Sequence, residues 1–368
     1  MSTKKDKFSI KDKFYMNLAL DLAKSRHGLT GSNPSVGCII VKNDQIISIG
    51  TTSYNGRPHA EYNAIKNSIE NLEGAKLYVT LEPCSHHGLT PPCTNLIIKS
   101  KVSEVLYSIT DIDRRVKNKS YKILRSNKII VKKGLLKNKI QKFYYPYFLN
   151  RIKKLPFVTG KIAISKNNLT YSKINKKITN LYSDKFTHLL RYKNDSLMIS
   201  YKTLNKDNPK LNCRLKNLER FSPKRVILDN KLNTKINSYI IRTANKKNTV
   251  IFYNMAKKKR VLEFKKKGIK LIKSKIDKSK KFYIKVLLMK LYSLGCRNLL
   301  IEGGNTLTKH LIKNKIFDKF YLFKSPKNLS KSKEYLKFDS LNILNKNYKK
   351  KINLNLNLKK DKITLYKY

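Results

Sequence analysis
Three residues well separated along the chain, His59, Cys84 and Cys93, must converge on one point if this sequence is to do the chemistry its local strings suggest. Imidazole and thiolate are zinc ligands, and a catalytic zinc site keeps three protein ligands and leaves the fourth position open to water. The metal lowers the pKa of such a water to about 7, which makes hydroxide available at neutral pH. Glu61 stands two positions after His59. From there it can carry a proton from the water to a departing amine without binding the metal. A structural zinc knuckle would close with four ligands and would need no adjacent acid. The set therefore suits hydrolytic deamination, and any fold adopted must bring the ends of several elements together.

The general zinc-deaminase pattern places its second cysteine three residues after the first. Here the second cysteine comes later, and the loop between them reads Ser85-His86-His87-Gly88-Leu89-Thr90-Pro91-Pro92. The whole run from Leu81-Glu82-Pro83-Cys84 to Cys93 resembles the deaminase half of the bifunctional riboflavin-biosynthesis deaminase–reductases. Asn33-Pro34, Val36-Gly37-Cys38 and Pro58-His59-Ala60-Glu61 resemble it too, in the same order. Within that resemblance His86 and His87 are loop residues on the substrate side, or structural.

The chain has 368 residues, enough for two domains with separate cores. Its formal net charge is +59, from 82 Lys+Arg against 23 Asp+Glu. That balance alone points to nucleic acid. Yet the lysines are spread along the whole length rather than gathered on one stripe. Asn, Ile and Tyr are abundant and Trp is absent, as AT-rich coding would produce. A positive field still attracts phosphorylated substrates. Of the five cysteines, two are committed to metal, and Cys38, Cys213 and Cys296 read as small core residues in a reducing compartment. Met1 to Lys13 is charged and has no apolar h-region, and no apolar run approaches the ~20 residues of a membrane span. The expectation is a cytoplasmic protein.

Periodicity predicts helices over 12–25, 59–69 and the stretch ending at Lys99, and strands over 36–41, 45–50, 76–81 and 102–109. A helix and a short strand follow over 121–131. Tyr144 to Lys154, with Pro146 and a basic cluster, reads as a junction. Beyond it the pattern predicts strands over 157–164, 196–200, 225–228, 249–253 and 298–302. Helices are expected over 183–192, 257–267 and 282–294. No internal repeat is evident. The Lys/Asn-rich tail from Asn345 holds at most a final edge strand. The fold class is α/β in both halves, with domains expected over 1–148 and 149–368.

In the second half, Ile301-Glu302-Gly303-Gly304-Asn305-Thr306 follows a strand and opens a helix, where backbone amides favour a phosphate. It lacks the longer glycine series of the Rossmann fingerprint. Asp207-Asn208-Pro209, Leu211 to Arg214, Arg225 to Asp229 and Lys161-Ile162-Ala163-Ile164-Ser165 resemble the reductase half of the same family. The resemblance implies a cytidine-deaminase-like three-layer domain followed by a dihydrofolate-reductase-like domain. It implies Zn2+ and NADPH as cofactors and a small phosphorylated pyrimidine as substrate. Specific nucleic-acid or membrane partners are not expected, and a homo-oligomer is compatible. Carried over by position, Glu61 is the catalytic acid–base, and His59, Cys84 and Cys93 are the metal ligands. Ala163, Thr203, Asp207, Asn230, Gly304, Asn305 and Thr306 line the cofactor, and Arg191, Leu211, Arg214 and Glu302 meet the substrate. Two alternatives stand beside this reading: a tRNA-adenosine type of deaminase, and a deaminase with a decayed reductase half.

The departures from the family are local. Lys166-Asn167-Asn168-Leu169 replaces the usual Leu-Asp-Gly-Arg/Lys. A stretch that normally carries Trp is shortened to Asn175-Lys176-Lys177, which removes a stacking surface beside the expected cofactor. Surplus positive charge at Lys161, Lys166, Lys176 and Lys177 is expected to offset that loss by attracting the cofactor's phosphates. Leu89 stands where Arg or Lys is usual, and Asn118 and Ser120 stand where glycines are.

Overall fold
The computed structural model describes residues 8–174, 177–331 and 334–367. Asn175 and Lys176 of the shortened stretch lie outside them. The chain divides into two compact units, the first ending at Lys154 and the second beginning at Leu155.

The first unit runs α1 (Ile10–Arg26), β1 (Gly37–Lys42), β2 (Gln45–Thr51), α2 (Ala60–Lys66), β3 (Lys76–Leu81), α3 (Cys93–Lys99), β4 (Glu104–Ile109), α4 (Lys119–Ser126), β5 (Ile130–Lys133) and α5 (Lys137–Lys153). Ser9 and Asp12 start α1 with reciprocal side-chain-to-amide bonds of 3.0 and 2.8 Å, so two orphan amides of the first turn are satisfied. The strands form one sheet in the order β2-β1-β3-β4-β5. β1 is antiparallel to β2 and β3, and β3, β4 and β5 are parallel. Two glycines explain how closely helices cover both faces. A Cβ on Gly37 would collide with the Ala19 carbonyl of α1, and one on Gly50 with the Ala60 carbonyl of α2. Gly50 pairs with Cys38, the neighbour of Gly37, so the two glycines face opposite sides of the pleat. Helices on both faces make the three layers. Leu81 and Ile109 are register partners at the carboxyl ends of β3 and β4. The loops leaving those ends carry the site, as is usual for parallel strands.

The expected junction at 144–154 ends at the division between the two units, and most of it is the carboxyl-terminal part of α5. Pro146 lies inside this 17-residue helix, and the expected boundary at 148 falls within it. An interior proline costs a helix about 3 kcal/mol. Packing outweighs that cost, since Tyr144 is buried in the core and Phe143, Tyr147 and Phe148 pack against it. The Tyr144 hydroxyl also donates to the Ser35 carbonyl at 2.9 Å and lies 2.6 Å from the Thr80 hydroxyl.

The second unit runs β6 (Phe157–Ile164), β7 (Leu169–Ser172), α6 (Leu181–Tyr192), β8 (Ser196–Ser200), α7 (Tyr201–Asp207), β9 (Lys224–Leu228), α8 (Tyr239–Arg242), β10 (Thr249–Tyr253), α9 (Lys258–Lys266) and β11 (Lys270–Lys273). It continues with α10 (Ile284–Ser293), β12 (Asn298–Ile301), α11 (Asn305–Lys313), β13 (Lys319–Lys324), β14 (Tyr335–Lys337), α12 (Leu341–Asn347), β15 (Lys350–Asn353) and β16 (Lys362–Lys367). One large sheet follows the order β11-β10-β9-β8-β12-β6-β13-β16-β15. It is parallel from β11 to β13, with β16 and β15 added antiparallel. The tail therefore forms two strands rather than one at the edge. β16 lies inside the sheet because Ile363, Leu365 and Tyr366 bury their side chains. Two core clusters pack around this sheet.

The altered 166–169 stretch is a closed turn between β6 and β7. Asn168 takes the left-handed conformation at φ 61°, which asparagine tolerates better than most residues. Asn167 ties the turn down, accepting from the Leu329 amide at 3.1 Å and donating to its carbonyl at 2.8 Å. Cys38, Cys213 and Cys296 are buried and unpaired, as expected of small core residues. Among the described residues, no helix is long and apolar enough to cross a membrane.

Candidate active sites
In the first unit, His59 is the residue that caps α2, Cys84 follows β3, and Cys93 opens α3. Three elements thus deliver three ligand atoms. His59 Nδ1 lies 3.5 Å from Cys84 Sγ and 3.4 Å from Cys93 Sγ, and the three atoms lie within 4.8 Å of one another. Zinc bonds of about 2.3 Å to sulfur and 2.0 Å to nitrogen, set tetrahedrally, require N···S separations of about 3.5 Å. The donor set and its spacing therefore fit zinc. The Cys93 amide donates to Cys84 Sγ at 3.2 Å. The Cys84 thiol is pulled down to about 4 by hydrogen bonding from Cys93, with His59 adding to the effect. A thiolate ligand is thus ready for a cation.

Glu61 is 4% exposed, and burial pushes its carboxyl up to about 7. Together with His59 and Cys84 it lines a cavity of about 90 Å³, whose walls also include Asn33, Arg57, His86, Asp111 and Tyr147. His87 is exposed on the loop, outside this lining. Glu82, part of the resembling string but given no role there, organises the far wall. Its carboxylate accepts from the amides of Asp111 and Asn118 at 3.2 and 3.1 Å and from Ser120 Oγ at 2.7 Å. Asn118 takes the left-handed conformation at φ 57°, which explains how it stands in a glycine's place. Ser120 supplies the bond a glycine lacks.

In the second unit, a cleft of about 520 Å³ opens at the carboxyl ends of β6, β8 and β12. Ala163, Thr203, Asp207, Gly304, Asn305 and Thr306 line it, as do Arg191, Leu211 and Glu302. Asn230 and Arg214 do not. The Asn230 amide donates to the Lys280 carbonyl at 2.6 Å. The Arg214 guanidinium reaches Asn212 Oδ1 at 3.0 Å. The Arg191 fork is taken by Glu302 in two bonds of 2.8 and 2.7 Å. Burial alone would raise the Glu302 carboxyl, but Arg191, helped by Lys161, holds it below its ordinary value. Lys161 lines the cleft and is lowered by burial. Of the other expected compensating lysines, Lys177 pairs with Asp184 at 2.9 Å and Lys166 is exposed outside the cleft lining. The cleft still has an aromatic wall, because Tyr171 lines it with the Lys206 ammonium 3.4 Å from its ring centroid.

Comparison with known proteins agrees with both halves. The cytidine and deoxycytidylate deaminase zinc-binding region matches residues 9–109, and the RibD C-terminal domain matches residues 164–366. The riboflavin biosynthesis protein RibD of Aquifex aeolicus is 33% identical over 86% of this chain and 87% of its own. That of Actinobacillus pleuropneumoniae is 33% identical over 85% and 83%. The chain belongs to the RibD family. Its structure is similar to RibD of Acinetobacter baumannii, with a TM-score of 0.81 and 26% identity over 97% of this chain and 98% of that one. A diaminohydroxyphosphoribosylaminopyrimidine deaminase/5-amino-6-(5-phosphoribosylamino)uracil reductase of Thermotoga maritima gives a TM-score of 0.80 at 28% identity over the same shares. As a RibD it is an enzyme of riboflavin biosynthesis with deaminase and reductase activities, and its cofactors are zinc and NADPH. The tRNA-type alternative is set aside by the reductase half.

Replacing either cysteine tests the metal set. Cys84→Ala and Cys93→Ala are each expected to drop zinc well below one per chain in metal analysis and to lower the melting temperature of the first unit, since metal binding supports folding. Full zinc in both variants would refute the assignment.

Proposed function
We propose that His59, Cys84 and Cys93 hold the zinc of this RibD and that Glu61 moves the protons of deamination. The observation that carries this is the close triangle of Nδ1 and two Sγ atoms beside a buried carboxyl of near-neutral pKa. A zinc held by these three residues would supply a water of lowered pKa, available as a nucleophile at neutral pH. Glu61 takes the water's proton and passes it to the leaving amine, a task suited to a group that titrates near the working pH. Asn33 and Glu82 lie on the walls that would orient the ring.

The substrate proposed is the one that the name of the Thermotoga relative carries, a diamino-phosphoribosylamino-pyrimidinone. In the second unit, the cleft lined by Gly303, Gly304, Asn305 and Thr306 would hold NADPH, which when bound would supply the hydride for reducing the ribose. Gly303, Gly304 and the start of α11 let the cofactor's phosphates approach the backbone. Tyr171 offers the stacking surface that the missing Trp does not. Glu302, fixed by Arg191, accepts from sugar hydroxyls, and Lys161 faces them as a donor. Five unpaired cysteines suit a reducing compartment, and we place the enzyme in the cytoplasm.

The test is an anaerobic assay with the pyrimidine substrate that follows ammonia and NADPH separately. Ammonia release without NADPH, and NADPH oxidation only after deamination, are expected. Absence of NADPH oxidation with the deaminated substrate would leave a deaminase whose reductase half has decayed.

A further inference from the structure
Arginine is scarce in this lysine-rich chain. In the first unit it stands at Arg26, Arg57, Arg114, Arg115, Arg125 and Arg151, and half of these, Arg57, Arg115 and Arg151, line the deaminase cavity. Several arginines elsewhere sit where a planar fork serves more than one acceptor. Arg225 bonds Thr243 Oγ1, the Thr243 carbonyl and Asn248 at 2.7, 2.8 and 2.8 Å, and Arg191 forks onto Glu302. An ammonium cannot serve such a planar set, so at these positions arginine is used for its fork.

Two of the cavity's arginines have their use within the chain. Arg115 bonds Asp113 at 3.0 and 2.6 Å, and Arg151 lies 5.4 Å from the Tyr147 ring centroid. Arg57 differs. It is half-buried, donates from Nη1 to Thr90 Oγ1, and has no carboxylate partner among the described residues. Of the acids lining the cavity besides Glu61, Asp113 is engaged by Arg115, Asp111 by Tyr147, and Glu82 by Ser120 and two amides. Arg57 lies over the Cys84–Cys93 loop, for a side chain at Gly88 would come within 3.3 Å of its Nη2. That loop contains no Lys or Arg, and Leu89 at its tip is 89% exposed.

We propose that Arg57 recognises the phosphate of the deaminase substrate, its guanidinium reaching the cavity mouth from the segment before His59 and braced on Thr90. This rests on the reading of a phosphorylated pyrimidine as substrate. The other two arginines add positive field at the mouth, and Arg57 provides the directed contact. A phosphomonoester dianion offers paired oxygens that a guanidinium meets with two parallel hydrogen bonds.

The experiment compares deamination of the phosphorylated pyrimidine with that of its dephosphorylated counterpart, in the full chain with zinc content measured. Arg57→Gln is expected to raise KM for the phosphorylated substrate by about 10- to 100-fold, the range of a charge-assisted hydrogen bond. It should leave kcat, zinc content and KM for the dephosphorylated substrate near wild type. Arg57→Lys keeps the charge but not the fork, and should raise the same KM by less. If the Gln variant loses zinc, the Lys variant decides on the same comparison. Equal KM changes on both substrates, or no change on either, would overturn the proposal. A wild-type enzyme that releases no ammonia from the phosphorylated pyrimidine would instead overturn the substrate reading beneath it.

Discussion
Glu61→Gln is expected to lower the rate of ammonia release by about 10²- to 10⁴-fold, the usual contribution of a positioned acid–base group. The substitution keeps the side chain's size in a position that is 4% exposed. Zinc content and the NADPH-dependent step, assayed with already deaminated substrate, should therefore be unchanged. The carboxyl sits near neutral pH because burial disfavours its charge, while His59 opposes that effect. An amide of the same shape removes the proton traffic and little else. A purified, zinc-loaded variant that deaminates at the wild-type rate would show that another group moves the proton.

The second large effect is expected at the Arg191–Glu302 pair. Both side chains are nearly buried, with 10% and 14% exposure, and the guanidinium also donates to the Asn212 carbonyl at 3.1 Å. Removing one partner leaves an uncompensated charge in a low-dielectric site, at a cost of about 3–5 kcal/mol. Arg191→Met should accordingly lower the melting temperature of the second unit by roughly 10 °C and abolish NADPH oxidation while ammonia release persists. Replacing both residues, Arg191→Met with Glu302→Leu, removes the stranded charge and should melt higher than Arg191→Met alone. If the double variant is no more stable than the single, the pair is not the electrostatic unit described.

The cluster of His59, Cys84 and Cys93 beside Glu61 was legible because these residue types, in such short strings, have few other uses together. Strand positions were legible where β-branched runs are bounded by turn residues. Phe157–Ile164 and Thr249–Tyr253 are cases in which expectation and structure coincide. The far wall of the deaminase cavity was not legible. Tyr147 and Arg151 follow Pro146, and a proline followed by basic residues reads as a linker until the aromatic packing of α5 is seen. Asn118 and Ser120 read as losses of glycine. In the structure, one adopts the glycine's backbone conformation and the other donates to Glu82. In the second half, residue identities marked the cleft but not which of them were already engaged. Arg191 reads as a residue that meets the substrate, yet its fork is occupied by Glu302, a pairing between residues more than a hundred positions apart. Tyr171 was missed as an aromatic wall because nothing near it in sequence signals a stacking role.

The helix α5 bears on how the two activities of such an enzyme can be separated or recombined. Its final turn carries Arg151, which lines the deaminase cavity, and the helix ends at Lys153, just before the second unit begins at Leu155. Modularity in this protein therefore has a seam narrower than the sequence suggests. A hybrid gene spliced at 148 would give the deaminase another parent's wall, with whatever residue that parent carries in place of Arg151. One spliced after Lys154 would exchange the reductase and leave the amine-releasing cavity with its own residues throughout.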